Sequence, residues 1–171
     1  TGASLVLRGH AYIVSEVGFS PTDDRLLTTS FDGTAVIWRG DGQVASRLRG
    51  HQRPLLGGAW SADGAHVLTY SEDGTVRVWR TEDEEVYTAR ARGCALGGVV
   101  ASPTGSFVLT LPDLDATRDC GQGKGRLWKV GDHRPLVLDA ARRPPAVAAF
   151  ADDGHTFVTG DEAGEAVVWS V

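Results

Sequence analysis

The chain has 171 residues, 42% of them apolar, and a net charge of −5. That is length enough to bury a core, and the acidic balance argues against a general electrostatic grip on nucleic acid or anionic lipid, leaving room only for a local basic patch. No run approaches the roughly 18 apolar residues of a membrane span, no charged head leads an apolar stretch as in a signal peptide, and two cysteines cannot build a disulfide framework, so a cytoplasmic setting is expected.

Residues 4–8 (SLVLR) form a short apolar run leading into Gly9-His10, as residues 45–49 (ASRLR) lead into Gly50-His51. The chain thus opens inside a repeating unit. Together with the absence of methionine, this leads us to expect a processed product or a piece of a longer polypeptide. From His10 the pattern gives an alternating strand over 14–20, a Pro/Asp turn, a strand over 26–30, an Asp-Gly turn, a strand ending at Trp38 and a fourth over 43–48. The next unit repeats this at 55–61, 66–71, 75–79 and 86–90, a shift of 41 throughout. The third unit gives strands at 96–102, 107–111, 126–128 and 136–138, with an insertion at 112–125 (PDLDATRDCGQGKG) read as loop. The fourth gives 146–151, 156–159 and 166–168, with no fourth strand after Trp169. Helical periodicity is absent.

The organising echo is SFDGTAVIW, Ser30 to Trp38, repeated as SEDGTVRVW, Ser71 to Trp79. Each joins an Asp-Gly turn to a half-buried strand ending in Trp, and Gly33 or Gly74 can take the positive φ such a turn demands. Weaker copies end at Trp128 and Trp169, so the tryptophans are spaced by 41, 49 and 41 residues. Four strands per unit near 40 residues, each unit too small to cover both its faces, predicts blades of a β-propeller. We expect an all-β chain of four blades with four antiparallel strands each, half of an eight-bladed ring or part of a longer propeller. The expected bounds are about 10–49, 51–91, 92–140 and 141–171, the last completed by a strand at 4–8.

The Gly-His dipeptides, each His 28 residues before its Trp, and the Asp-Gly turns give a chain that resembles the WD-repeat family over essentially its whole length. The resemblance implies that each blade is tied by a hydrogen-bonded set: His10, Thr28, Asp32 and Trp38 in blade one, His51, Thr69, Asp73 and Trp79 in blade two. Blade three keeps Thr110 and Trp128 but has Arg92 and Gln122 in the other two places; blade four keeps Thr159 and Trp169 but has Ala141 and Ala163. Trp-ended strands without those polar partners should be looser.

Several residue groups have the makings of other chemistry, each with a plainer reading. His10 with Asp32, and His51 with Asp73, have the composition of acid/base pairs, yet recurrence at equivalent repeat positions argues that they hold blades together. Ser30 and Ser71 lack a nucleophile-elbow context. Asp113, Asp115 and Asp119 are oxygen ligands without an EF-hand pattern, so a solvated loop is the better reading. Gly121, Gly123 and Gly125 run into a strand, whereas a phosphate cradle needs a helix N-terminus behind it. Cys94 and Cys120 fall in loops on one face of blade three; two free thiols are the default, a local disulfide or shared metal the alternative. Glu82 to Glu85 reads as a solvated hairpin tip, and Arg142-Arg143 before Pro144-Pro145 as a turn.

The expected function is a non-catalytic protein-interaction scaffold without cofactor, binding a protein or peptide but no nucleic acid and no membrane. The alternatives are a sensor or regulatory module of a larger signalling or defence protein and, behind it, an enzyme. The resemblance implies a binding face at Ile13, Ser15 and Phe31 in blade one, Pro54, Leu56 and Glu72 in blade two, and Glu162 in blade four. Phe31 is the expected anchor, with packing on the neighbouring blade as its other reading. The strand count leaves two edges to be closed, by a second copy or by the remaining blades of a longer parent chain.

Overall fold

Each repeat becomes one antiparallel sheet in the computed structural model, which describes residues 2, 4–81, 85–90, 96–114, 123–132, 134–139 and 142–171. The first blade is β1 (Val14–Phe19), β2 (Leu26–Ser30), β3 (Thr34–Trp38) and β4 (Val44–Arg49), paired in chain order. The second is β5 (Leu55–Trp60), β6 (His66–Ser71), β7 (Thr75–Arg80) and β8 (Glu85–Arg90). The third is β9 (Leu96–Ala101), β10 (Phe107–Pro112), β11 (Arg126–Lys129) and the two-residue β12 (Leu136–Val137). The fourth has only β13 (Val147–Phe150), β14 (Thr156–Gly160) and β15 (Ala166–Ser170). No helix occurs among the described residues.

The turns form for local reasons. In blade one Ser30 Oγ accepts from Asp32 N–H at 3.0 Å, Asp32 Oδ1 accepts from Thr34 N–H at 2.9 Å, and Gly33 sits at φ 81°. Blade two repeats this with Ser71, Asp73, Thr75 and Gly74 at φ 75°. Only glycine holds that conformation cheaply, so the turn register is pinned in both blades.

Strand alternation then sorts side chains onto two faces. Leu27, Ala35, Ile37 and Leu48 leave blade one to pack on Leu55, Val67 and Trp79 of blade two. Leu68, Val76, Val78, Tyr87 and Ala89 leave blade two for Leu96, Val108 and Trp128 of blade three. Leu109, Leu111, Leu127 and Leu138 of blade three meet Phe157, with Trp169, Ala148 and Phe150 half-buried beside it. The core is therefore a series of layers between blades, and no single sheet owns one.

One expected element does not form. Residues 4–8 carry no strand, and blade four keeps three strands, so β15 ends the sheet as an unpaired edge. A strand exists only through a neighbour that accepts and donates its backbone hydrogen bonds, and the N-terminal segment lies instead against blade one. A Cβ placed at Gly42 would come within 2.6 Å of Leu5 and 3.2 Å of Leu7, and one at Gly9 within 2.6 Å of the Trp38 ring.

Candidate interaction face and the residues that hold it

The two complete polar sets are built alike. Trp38 Nε1–H donates to Thr28 Oγ1 at 2.8 Å, the Thr28 hydroxyl donates to His10 Nε2 at 2.7 Å, and His10 Nδ1–H donates to Asp32 Oδ2 at 3.0 Å. Asp32 Oδ2 also accepts from Ala11 N–H at 2.9 Å. In blade two the distances are 2.9 Å (Trp79 to Thr69), 2.8 Å (Thr69 to His51), 3.0 Å (His51 to Asp73) and 2.9 Å (Gln52 N–H to Asp73). This direction of donation needs a neutral imidazole. Burial pushes the His51 pKa down, against the Asp73 carboxylate that raises it, and so favours that state.

Partial burial works to raise the Asp32 and Asp73 carboxyls. Hydrogen bonds from Thr34 and Ala11, and from Thr75 and Gln52, outweigh it, with the two imidazoles adding to them, and hold both acids at about 2. Each carboxylate ties the start of a blade to its second turn. Because Thr28 and Thr69 are inside the sheet and both ring nitrogens of His10 and His51 are engaged, the arrangement is one of attachment and offers no open site for a substrate.

The degenerate blades keep only the inner link. Trp128 Nε1–H donates to Thr110 Oγ1 at 3.1 Å, whose hydroxyl donates to Arg126 O at 3.3 Å, and Trp169 Nε1–H donates to Thr159 Oγ1 at 2.9 Å. Ala163 is exposed, and Arg92, Gln122 and Ala141 lie outside the described residues, as do Cys94, Cys120, Asp115, Asp119, Gly121 and residues 82–84. Asp113 is half-buried, and Arg142 and Arg143 form a bend at the surface.

The candidate binding residues fall at one end of the blades. Phe31 N–H donates to Ile13 O at 2.9 Å and Glu72 N–H to Pro54 O at 3.1 Å, so in each blade the turn is tied to the start of the first strand. The two blades also meet there, since a Cβ at Gly33 would lie 3.4 Å from Arg53 O and 3.8 Å from His51 O. Phe31 is 36% exposed and Ile13 57%. Glu72 is exposed and pairs loosely with Arg53 at 3.6 Å. Ser15 is less available: its hydroxyl bonds Thr29 Oγ1 at 2.8 Å. Pro54 and Leu56 are half-buried, and Glu162 is exposed in the β14–β15 turn.

The opposite end of the blades holds a feature that the sequence reading missed. An open cavity of about 550 Å³ is lined by all four inner strands, with Val17, Phe19, Trp60 and Phe150 as its large side chains. Aligning the repeats by their tryptophans would have shown it, because Phe19, Trp60 and Phe150 occupy one equivalent position at the end of the first strand.

The family model described as "WD domain, G-beta repeat" matches residues 3–39 and 42–80. Among curated proteins none matches. Among solved structures, the chain is similar to the C-terminal WD40 domain of Sif2, with a TM-score of 0.72 and 19% identity over 96% of this chain and 48% of that one. It is also similar to the computationally designed Ika4 protein, with a TM-score of 0.76 and 21% identity over 100% of this chain and 99% of that one. The chain thus spans about half the length of the Sif2 domain and the whole of Ika4. With the His-Thr-Asp-Trp sets in the two blades that match the WD-repeat model and the same sheet architecture in the last two, the chain is a set of β-propeller blades whose first half carries WD repeats.

Proposed function

We propose that the chain is a non-catalytic scaffold that binds a protein or peptide on the end of the blades carrying Phe31 and Glu72. WD-repeat domains generally act as protein-interaction scaffolds, and fold alone does not choose the partner. The observation that carries the reading is the contact of the Gly33 turn with the backbone of residues 51–53, which makes one continuous rim of two blades. On that rim an aromatic and an aliphatic side chain stand exposed beside an acidic one, the composition of a small anchor with a polar surround. A sensor module within a larger signalling or defence protein would use the same rim. For the two unpaired ends of the arc the partner is a second copy or further blades, and the two-cysteine composition supports a cytoplasmic setting. Affinity selection of a displayed peptide library against the chain, with rim variants as counter-selection, tests the reading: binders should lose affinity on Phe31→Ala or Glu72→Arg.

A further inference from the structure

Blade four turns an apolar face outward. Leu27, Leu68, Leu109 and Val158 are equivalent in the repeats, as are Ile37, Val78, Leu127 and Val168. In the first three blades these positions are covered by the next blade and are at most 3% exposed. In blade four, Val158 is 37% exposed and Val168 is 72% exposed, with Val147 at 64% on the same face. Blade one shows the converse. Trp60 of blade two helps to receive blade one, but its equivalent Phe19 is 73% exposed, and Val14, equivalent to the buried Leu55, is 46% exposed. The face that should be donated and the face that should receive are both bare.

The strand edges match as well. In blade one Ala35 pairs with Leu48 and Thr34 with Arg49, and in blade two Val76 pairs with Ala89 and Thr75 with Arg90. The same register set on β15 places Leu7 opposite Ala166, Leu5 opposite Val168, and Arg8 opposite Glu165, a pair of opposite charge. Leu48 and Ser46, the equivalents of Leu7 and Leu5, are buried in blade one, whereas Leu5 is 61% exposed.

The occupant of these surfaces follows from position and curvature. Residues 4–10 are held on blade one, through Leu5 and Leu7 at Gly42, Gly9 at Trp38, and His10 in its polar set. Their unpaired edge therefore faces out of the arc, away from the chain's own β15. The arc superposes on a WD40 domain of about twice its length, so its turn per blade is that of a larger ring, and eight blades lie within the usual range of four to eight.

We infer that two copies of this chain close one eight-bladed ring, the N-terminal segment 4–8 of each becoming the fourth strand of the other's blade four. Two such junctions, related by a two-fold axis, cover both apolar faces and give each blade four its missing fourth strand, so that β15 is no longer an edge. This inference does not rest on the proposed binding rim: it is argued from the sheet faces and strand edges, and its readouts are mass and cross-linking, not peptide binding.

The test begins with the molar mass of the chain by light scattering, expected at twice 18.1 kDa. The Leu7→Cys/Ala166→Cys double variant, oxidised and run on a non-reducing gel beside the unsubstituted chain, should give a covalent dimer. Val168→Asp should raise the dissociation constant at least about tenfold, because it buries an unpaired charge in the junction. A stable monomer, an internal disulfide in a monomer, a ladder of higher species or aggregates, or a Val168→Asp chain that stays dimeric would each overturn the inference.

Discussion

Val78 and Val168 stand at the same place in their repeats, each immediately before its blade's tryptophan, yet Val78 is 2% exposed and Val168 is 72% exposed. The difference lies in what each meets. Val78 leaves blade two for the core shared with blade three, and Val168 points off the end of the arc. We expect Val78→Ala to cost about 1.5–3 kcal/mol at every protein concentration, the transfer energy of a buried valine. For the unsubstituted chain, a ring closed by a second copy makes the melting temperature rise with concentration, and Val168→Ala should flatten that dependence. Calorimetry over a hundredfold dilution series reads both effects.

The polar sets predict unequal costs for one substitution. Thr69→Val strips a donor from His51 and an acceptor from Trp79, while Thr110→Val leaves only Trp128 and a strained-out carbonyl contact at 3.3 Å without their partner. The first should cost about 1–3 kcal/mol, since it leaves a buried histidine nitrogen unsatisfied, and so should Asp73→Ala, which removes the acceptor shared by His51, Gln52 N–H and Thr75. The second should cost clearly less. Urea unfolding of the three variants checks the order, and equal losses for Thr69→Val and Thr110→Val would contradict the degenerate status of blade three.

Acid should loosen the blades in two stages. Asp32 and Asp73 are held near 2, below the ordinary carboxyl value of 3.8, so the unfolded chain binds protons more readily and their stabilisation, full above about pH 4, is lost as pH falls towards 2. The lowered His51 acts in the same sense and earlier: its contribution is full above the ordinary imidazole value of 6.5 and declines below it. The urea midpoint should therefore begin to fall below about pH 6.5 and drop most steeply between 4 and 2. His51→Gln should remove the upper part of that slope and leave the lower part in place.

Much of the fold was legible because its signals are local and repeated. Asp32-Gly33 and Asp73-Gly74 announce their turns, and Trp38, Trp79, Trp128 and Trp169 set the period that aligns every strand. The resemblance to WD repeats also implied that His10 and His51 sit beside carboxylates 22 residues away, as they do. What was not legible depends on contacts between units. Pattern alone gave residues 4–8 a strand, but a strand needs a neighbour, and β15 is not beside them. The cavity of Phe19, Trp60 and Phe150 is hidden in any single repeat and becomes legible only when the repeats are aligned by their tryptophans. The bond of the Ser15 hydroxyl to Thr29 is a cross-strand contact that the pattern of one strand does not announce.

The interaction face makes the most direct demand on experiment. Phe31 and Glu72 are exposed, and the Arg53–Glu72 pair is long and solvated, so neither side chain should matter to stability. The decisive measurement is the affinity of peptides selected against the chain, titrated on Phe31→Ala, Glu72→Arg and, at the far end of blade four, Asp152→Ala. The account predicts at least about tenfold weaker binding for the two rim variants, the scale of a truncated hot spot, with an unchanged melting temperature and unchanged binding by Asp152→Ala. Peptides that bind all three variants like the unsubstituted chain, or a Phe31→Ala chain that unfolds, would contradict it.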